Sequence, residues 1–182
     1  MAMGPFAVGD LSGLDIGWSI RKRRYVERPD MVYSRIADRI CEAGRLGQKT
    51  GKGYYVYEAG QRKPLPNPDL SEIITLAARD SGIARRTVSD EEILERCLYS
   101  VVNEGARIVE EKIAQRASDL DVVWIHGYGF PRFRGGPMFW ADEIGLDKIL
   151  AKIEEFDRKH DFWEPAPLLK QLVQTGKRFS GD

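Results

Sequence analysis

The sequence predicts an all-α protein built from two tandem helical units. Three observations carry that prediction: apolar residues recur at three- and four-residue steps, glycine and proline clusters divide the periodic stretches, and one motif occurs twice. The motif reads "GPFAVGDLSGLD" at residues 4–15 and "GPMFWADEIGLD" at residues 136–147. At an offset of 132, Gly4, Pro5, Asp10, Gly13, Leu14 and Asp15 coincide with Gly136, Pro137, Asp142, Gly145, Leu146 and Asp147. A second pair, "TGKGY" at Thr50–Tyr54 and "TGKRF" at Thr175–Phe179, follows in the same order. Two echoes in one order indicate a duplicated unit.

In the first unit, residues 1–60, a helical pattern runs across Pro5–Arg24, with Val8, Leu11, Leu14 and Trp18 marking one apolar face. The run "RKRRY" at Arg21–Tyr25 closes it with positive charge where a helix C-terminus favours cations. A solvated helix end accounts for that run; a phosphate contact is the functional alternative. Met31–Ala43 reads as a second helix. In "GQKTGKGYYVYE", residues 47–58, three glycines lead into an aromatic and β-branched stretch, which predicts a loop and a short extended piece. The prolines of "RKPLPNPDL", residues 62–70, exclude regular helix, so residues 61–88 read as a linker followed by a connecting helix over Leu70–Arg79.

The second unit, residues 89–182, opens with the longest periodic stretch of the chain, Asp90–Gln115. Ile93, Leu94, Cys97, Leu98, Val101, Val102, Val109 and Ile113 recur at helical steps, and Ser89 with Glu92 forms a capping signature. The stripe Leu94, Leu98, Val101, Val102 and Val109 is expected to be buried. Gly105 in its middle costs roughly 1 kcal/mol against alanine, so a close crossing by a neighbouring helix is expected to compensate. Ser118–Asp121 starts a short helix that ends near "HGYGFP", and further helices are expected over 137–143, 145–159 and 166–174. Nothing before Met3 corresponds to the stretch that precedes the motif in this unit. The first unit therefore reads as cut at its N-terminal side, with an apolar surface prone to self-association.

Bulk properties narrow the function. Lys plus Arg and Asp plus Glu number 28 each, which argues against nucleic acid and acidic membrane surfaces as partners. Two cysteines, Cys41 and Cys97, lie far apart and suit a reducing compartment rather than a disulfide framework or a zinc site. No apolar run approaches the ~18 residues of a membrane span, and no basic-then-apolar leader is seen, so a cytoplasmic protein is expected. The glycine clusters do not make a nucleotide loop. In "GQKTGKG" only three residues separate Gly47 from Gly51, and Lys52 is followed by Gly53; in "GYGFPRFRGG", Pro131 and Arg132 replace the third glycine of a dinucleotide fingerprint. His126 and His160 have no carboxylate or nucleophile at readable spacing, Glu91–Glu92 and Glu154–Glu155 read as solvated faces, and Asn103 reads as a buried structural amide. No catalytic or metal-ligating constellation emerges.

The stretches "MGPFAVGDLSGLD", "GQKTGKGYYVY", "VVNEGARIVEE" and "GFPRFRGGPMFWAD" resemble the C-terminal part of 3-hydroxyacyl-CoA dehydrogenases, and more specifically the multifunctional β-oxidation enzymes that join an enoyl-CoA hydratase to the dehydrogenase. The resemblance covers nearly the whole chain. It implies two helical units of the 6-phosphogluconate dehydrogenase C-terminal-like fold, arranged as a pseudo-dimer, and a part in oxidising an acyl-CoA hydroxyl with NAD. The Rossmann domain with its Ser, His and Glu, and the catalytic Asn, would lie outside this sequence. No catalytic residue and no cofactor-binding residue is thus carried over, and NAD is expected for the intact enzyme only. Asn103 in "VVNE" resembles the pseudo-equivalent of that Asn in the second copy. Met3, Pro5 and Phe6 match the family's acyl-pocket wall and are the candidate substrate-binding residues. The implied partners are the Rossmann and hydratase domains, an acyl-CoA substrate and a thiolase subunit. Two other readings stay open: a non-enzymatic assembly module that complements a separately encoded Rossmann domain, and an acyl-CoA carrier.

Overall fold

Proline at the first turn of a helix gives up an N–H that would have no partner there, and Pro5 opens α1 (Pro5–Ser12) in this way. Gly13, at φ 97°, then turns the chain into α2 (Leu14–Glu27). The single helix expected over Pro5–Arg24 is therefore two, because a positive φ that glycine tolerates cannot continue a right-handed helix. The break takes α2 out of phase with α1. Leu14 is buried and Trp18 half-buried against Ile40 and Cys41, whereas Val8 and Leu11 stay exposed.

This computed structural model describes residues 3–30, 33–60, 63–157 and 163–181. They form two compact units, one spanning residues 3–87 and the other beginning at Val88. In the first, α3 (Ile36–Glu42) packs against α2. It is shorter than the helix expected over Met31–Ala43: residues 33–35 are not helical, and Met31 and Val32 lie outside the described residues. A 3₁₀ turn at Gln48–Thr50 leads to β1 (Tyr55–Val56), which pairs antiparallel with β2 (Leu65–Pro66), Tyr55 opposite Pro66. The helical class thus carries one short two-stranded addition. The Asn67 side chain donates to the Gly53 carbonyl at 2.8 Å and accepts the Asp69 amide at 3.2 Å, which ties the loop to the start of α4 (Leu70–Asp80). Through Leu70 and Ile73, α4 joins the cluster around Ile40.

At the start of the second unit the Ser89 hydroxyl accepts the Glu92 amide at 3.2 Å and caps α5 (Asp90–Glu110). Lys112 then takes φ 59°, so α5 ends before Gln115. There follow α6 (Ala117–Gly127), α7 (Pro137–Ile144), α8 (Leu146–Asp157) and α9 (Pro167–Thr175). Val102, Ala106, Ala141, Ile149, Ile153, Phe156 and Leu169 form the core, drawn from α5, α7, α8 and α9. The buried stripe of α5 is Tyr99, Val102, Asn103 and Ala106. Of the stripe expected from the sequence only Val102 is fully buried, and Leu94 is 59% exposed. The apolar positions of α5 spread around too much of the helix for spacing alone to choose the inward side. Gly105 meets the expected close crossing: a β-carbon there would stand 2.6 Å from the Met138 sulfur of α7.

The repeated motif repeats its conformation. Proline starts α7 as it starts α1, and Gly145 (φ 104°, ψ 117°) ends α7 as Gly13 (φ 97°, ψ 119°) ends α1. In each copy the next helix carries an aspartate in its first turn, Asp15 in α2 and Asp147 in α8.

Candidate functional site

The two echoes belong together structurally. Asp10 of α1 is fully buried, and its carboxylate accepts the amides of Tyr54 and Tyr55 at 2.9 Å each and the Tyr57 hydroxyl at 3.0 Å. Asp142 of α7 accepts the amides of Phe179 and Ser180, again at 2.9 Å each. In both copies a buried carboxylate from the first echo is clasped by two consecutive backbone N–H groups, that of the last residue of the second echo and that of the residue after it. The Tyr57 phenol is held well above its ordinary range, first by burial and then by the Asp10 carboxylate it donates to.

This arrangement accounts for the glycines of "GQKTGKG". A β-carbon on Gly47 would strike the backbone of Asp10, and one on Gly53 would strike the Asp10 carboxylate and stand 2.8 Å from the Gly47 α-carbon. The loop does cradle an anion, but the anion is the chain's own aspartate. At the other glycine segment, Asp121 of α6 reaches the start of α7, accepting the Met138 amide at 2.7 Å and the Phe139 amide at 3.2 Å. Gly136 permits that approach, since a β-carbon would collide with Asp121. Burial holds the Asp121 carboxyl above its ordinary range; the two amides oppose that shift and the nearby Asp142 charge adds to it. The amides just after each glycine segment are committed to aspartates, while Gly47, Gly51 and Gly53 in the first segment and Gly135 in the second donate to backbone carbonyls, so these residues do not fit the pyrophosphate of a dinucleotide.

The sequence-predicted candidates are placed as follows. Pro5 opens α1 and is exposed, Met3 precedes it at 41% exposure, and Phe6 is 55% exposed. The Phe6 ring lies 4.5 Å from that of Tyr54, whose phenol is raised above its ordinary range by burial. The structure therefore brings Phe6 to the Asp10 loop. Its counterpart in the second unit, Met138, is buried and lines a cavity of about 480 Å³ with Asn103, Leu120, Trp124 and Trp163. A larger groove of about 690 Å³ runs beside it, walled by Leu94, Tyr99, Trp124, Tyr128 and Trp140. The Asn103 amide is committed at both ends: it donates to the Glu164 carbonyl at 2.9 Å and accepts the Ala166 amide at 2.8 Å.

His126 is exposed in the last turn of α6, and His160 lies outside the described residues. Glu92 pairs with Arg96 at 2.9 Å, while Glu91 and Glu154 are exposed. Cys41 is buried, which raises its thiol above the ordinary range, and Cys97 is exposed. Among the described residues no group of three metal-ligating side chains forms, and no helix is long and apolar enough to cross a membrane. The aspartates that organise the site, Asp10, Asp121 and Asp142, were not read as site residues from the sequence. The one available signal was that Asp10 and Asp142 coincide in the repeated motif.

A helical scaffold in two copies, locked by buried aspartates and without a dinucleotide loop, defines the class. The chain belongs to the 3-hydroxyacyl-CoA dehydrogenase C-terminal domain family, which matches residues 1–57 and 93–180. It is similar to the peroxisomal bifunctional enzyme of Homo sapiens, at 43% identity over 96% of this chain and 26% of that protein. The peroxisomal fatty acid beta-oxidation multifunctional protein AIM1 of Arabidopsis thaliana is 35% identical over 99% of this chain and 26% of that protein. Among solved structures, the dehydrogenase part of multifunctional enzyme 1 from C. elegans superposes with a TM-score of 0.67 at 28% identity, over 93% of this chain and 38% of that one. The 3-hydroxybutyryl-CoA dehydrogenase of Escherichia coli shares the fold, with a TM-score of 0.65 at 16% identity over 96% of this chain and 52% of that one. The chain spans about a quarter of the length of the curated relatives it matches.

The expected cytoplasmic location is corrected by the same comparisons, because these relatives are named peroxisomal or glyoxysomal enzymes. Balanced charge and two widely spaced cysteines do not distinguish one compartment from another.

Proposed function

We propose that this chain supplies the helical C-terminal part of an NAD-dependent 3-hydroxyacyl-CoA dehydrogenase of fatty-acid β-oxidation, acting in a peroxisome-type compartment. The observation that carries this reading is the family match to both units, together with the Asp10 lock that ties α1 to its aromatic loop. Met3, Pro5 and Phe6 contribute an apolar wall against which the acyl chain lies. The position of Met138 supports that role, since the same place in the second copy walls a cavity. NAD, bound by parts of the intact enzyme that this chain does not include, would supply the hydride acceptor, and no residue of this chain is assigned to holding it or to moving the proton. The two units stand as tandem copies, the second serving as scaffold.

The test is an assay in two stages. The chain alone, with NAD and a 3-hydroxyacyl-CoA, is expected to form no NADH. Adding the separately produced nicotinamide-binding part of a relative is expected to produce turnover, with KM raised by Phe6→Ala. Turnover by the chain alone that survives repurification, or none with the added part, overturns the reading.

A further inference from the structure

The duplicated motif is covered differently in its two copies. In the second unit Gly136, Pro137 and Met138 are buried, and the Asp121 carboxylate of α6 accepts the Met138 amide at 2.7 Å and the Phe139 amide at 3.2 Å. Their counterparts Gly4, Pro5 and Phe6 are exposed, and among the described residues no acceptor meets the Phe6 or Ala7 amide. A β-carbon on Gly136 would collide with Asp121, whereas one on Gly4 would meet nothing within 4 Å. Within the first unit the main packing partners of α1 are α2 and the 3₁₀ turn at Gln48–Thr50, and neither brings a carboxylate to its first turn. The entry into the helix differs at one angle. The ψ that aims the following amides is 158° at Gly4 and 168° at Gly136, but φ is −69° at Gly4 and 100° at Gly136. Glycine passes freely between these two values, and a residue with a side chain does not.

We propose that the first turn of α1 is a docking site for an aspartate-bearing helix of the α6 kind, supplied by the part of the intact enzyme that this chain does not include. The second unit identifies the occupant, because there the same motif holds a carboxylate on the two corresponding amides. The incoming aspartate accepts the Phe6 and Ala7 amides, where the positive end of the helix dipole favours it. Gly4 swings to the φ of Gly136, and the apolar face of the docked helix covers Phe6 as α6 packs on α7. Phe6 so covered still faces an acyl chain, since Met138 is buried and yet lines a cavity. The source of the helix rests on the reading of the chain as part of a larger dehydrogenase, about a quarter of whose length it spans in the relatives; the site itself rests on the duplicate.

Nuclear magnetic resonance of the full ¹⁵N-labelled chain, titrated with a synthetic peptide of residues 89–131 that carries α5 and α6, tests the site. The Phe6 and Ala7 amide protons are expected to move downfield on binding. The same peptide with Asp121→Asn is expected to bind about tenfold or more weakly, as charge-assisted hydrogen bonds are removed. Gly4→Ala in the chain is expected to keep the wild-type unfolding midpoint, because a φ of −69° suits alanine and the space around it is open. It is expected to weaken peptide binding by about tenfold or more, because alanine resists the positive φ that docking requires. Shifts that spare Phe6 and Ala7, equal binding of the two peptides, or a Gly4→Ala chain that binds like the wild type overturns the proposal. The dehydrogenase reading fails separately: peptide binding with these shifts, but no turnover when the nicotinamide-binding part is added, keeps the docking site and removes that enzyme as the source of its helix.

Discussion

Asp10 and Tyr54 are 44 residues apart in the chain, and the Asp10 carboxylate accepts the Tyr54 amide at 2.9 Å. With the Tyr55 amide and the Tyr57 hydroxyl also donating, both carboxylate oxygens are spoken for in a site without solvent. Asp10→Asn would place an NH₂ group against a donor. Breaking a buried charged hydrogen bond on one side costs about 2–4 kcal/mol. Urea unfolding is expected to show a loss in that range for Asp10→Asn, and a similar one for Asp142→Asn. A loss under about 0.5 kcal/mol in both would mean that the clasp adds nothing to stability.

Gly53→Ala acts on the same lock from the opposite side. The new methyl group meets the Asp10 carboxylate and the Gly47 backbone together, and neither is a flexible side-chain tip that can swing away. A destabilisation of about 3 kcal/mol or more is expected from such overpacking at a backbone crossing. Gly60→Ala is the control. No atom lies within 4 Å of its β-carbon position, so only the φ of 83° resists the change there. Thermal unfolding that ranks the two variants equally would show that contact with Asp10 is not what requires glycine at residue 53.

Much of this architecture was legible in the sequence where local chemistry decides it. The helices over Leu70–Asp80, Asp90–Glu110 and Pro137–Ile144 follow from periodicity, a serine cap and proline at a first turn. The duplication was legible because Asp10, Gly13 and Asp15 serve a conformation that Asp142, Gly145 and Asp147 repeat. What escaped was non-local. A carboxylate in the middle of α1 looks solvated until a loop 44 residues away closes over it. On α5, Tyr99 and Ala106 face the core because α7, α8 and α9 lie on that side, and spacing along one helix does not contain that fact. The break at Gly13 was missed for a simpler reason: apolar periodicity continues through it while the backbone does not.

Asp121 makes a pH-dependent contribution whose sign can be worked out. Burial, reinforced by Asp142, raises its folded-state pKa above the ordinary 3.8 despite the two amides. The folded protein then binds this proton more tightly than the unfolded chain. The associated stability is fully present below the unfolded value and is lost as pH rises through the higher folded value. Asp121→Asn does not titrate and keeps an acceptor for the Met138 amide. Relative to that variant, the wild type is expected to lose stability as pH rises from below the ordinary aspartate value of 3.8 toward neutrality. Urea midpoints of the two proteins that stay parallel across that range would refute the assignment.

Asn103 holds the segment before α9 onto α5 through one donor and one acceptor. Asn103→Ala leaves the buried Ala166 amide without a partner, which costs about 1–3 kcal/mol. Asn103→Asp keeps the acceptor for Ala166 but replaces the donor that serves the Glu164 carbonyl, setting oxygen against oxygen. Both variants are expected to be destabilised in chemical unfolding, with Asp worse than Ala at neutral pH. If Asn103→Asp matched the wild type, the link to Glu164 would carry no weight.

The first unit exposes apolar side chains that its own core does not use. Phe6 is 55% exposed and Leu11 59% on α1, and Ile16 is 56% and Ile20 43% on α2. Four residues apart, Ile16 and Ile20 share one helical face. Covering a few hundred Å² of such surface is favourable by several kcal/mol at ~25 cal/mol per Å², enough to offset part of the entropy lost on association. The chain is therefore expected to self-associate as its concentration rises. Sedimentation equilibrium over a wide concentration range measures this directly. Leu11→Ser and Ile16→Ser together are expected to shift the protein toward monomer without lowering its unfolding midpoint, because neither side chain belongs to the core around Leu14 and Ile40. Ile93→Ser, which removes an exposed apolar group from the second unit, serves as the control for general surface polarity. A wild-type chain that stays monomeric throughout, or an Ile93→Ser change that acts as strongly as the pair, would show that these α1 and α2 side chains drive no association.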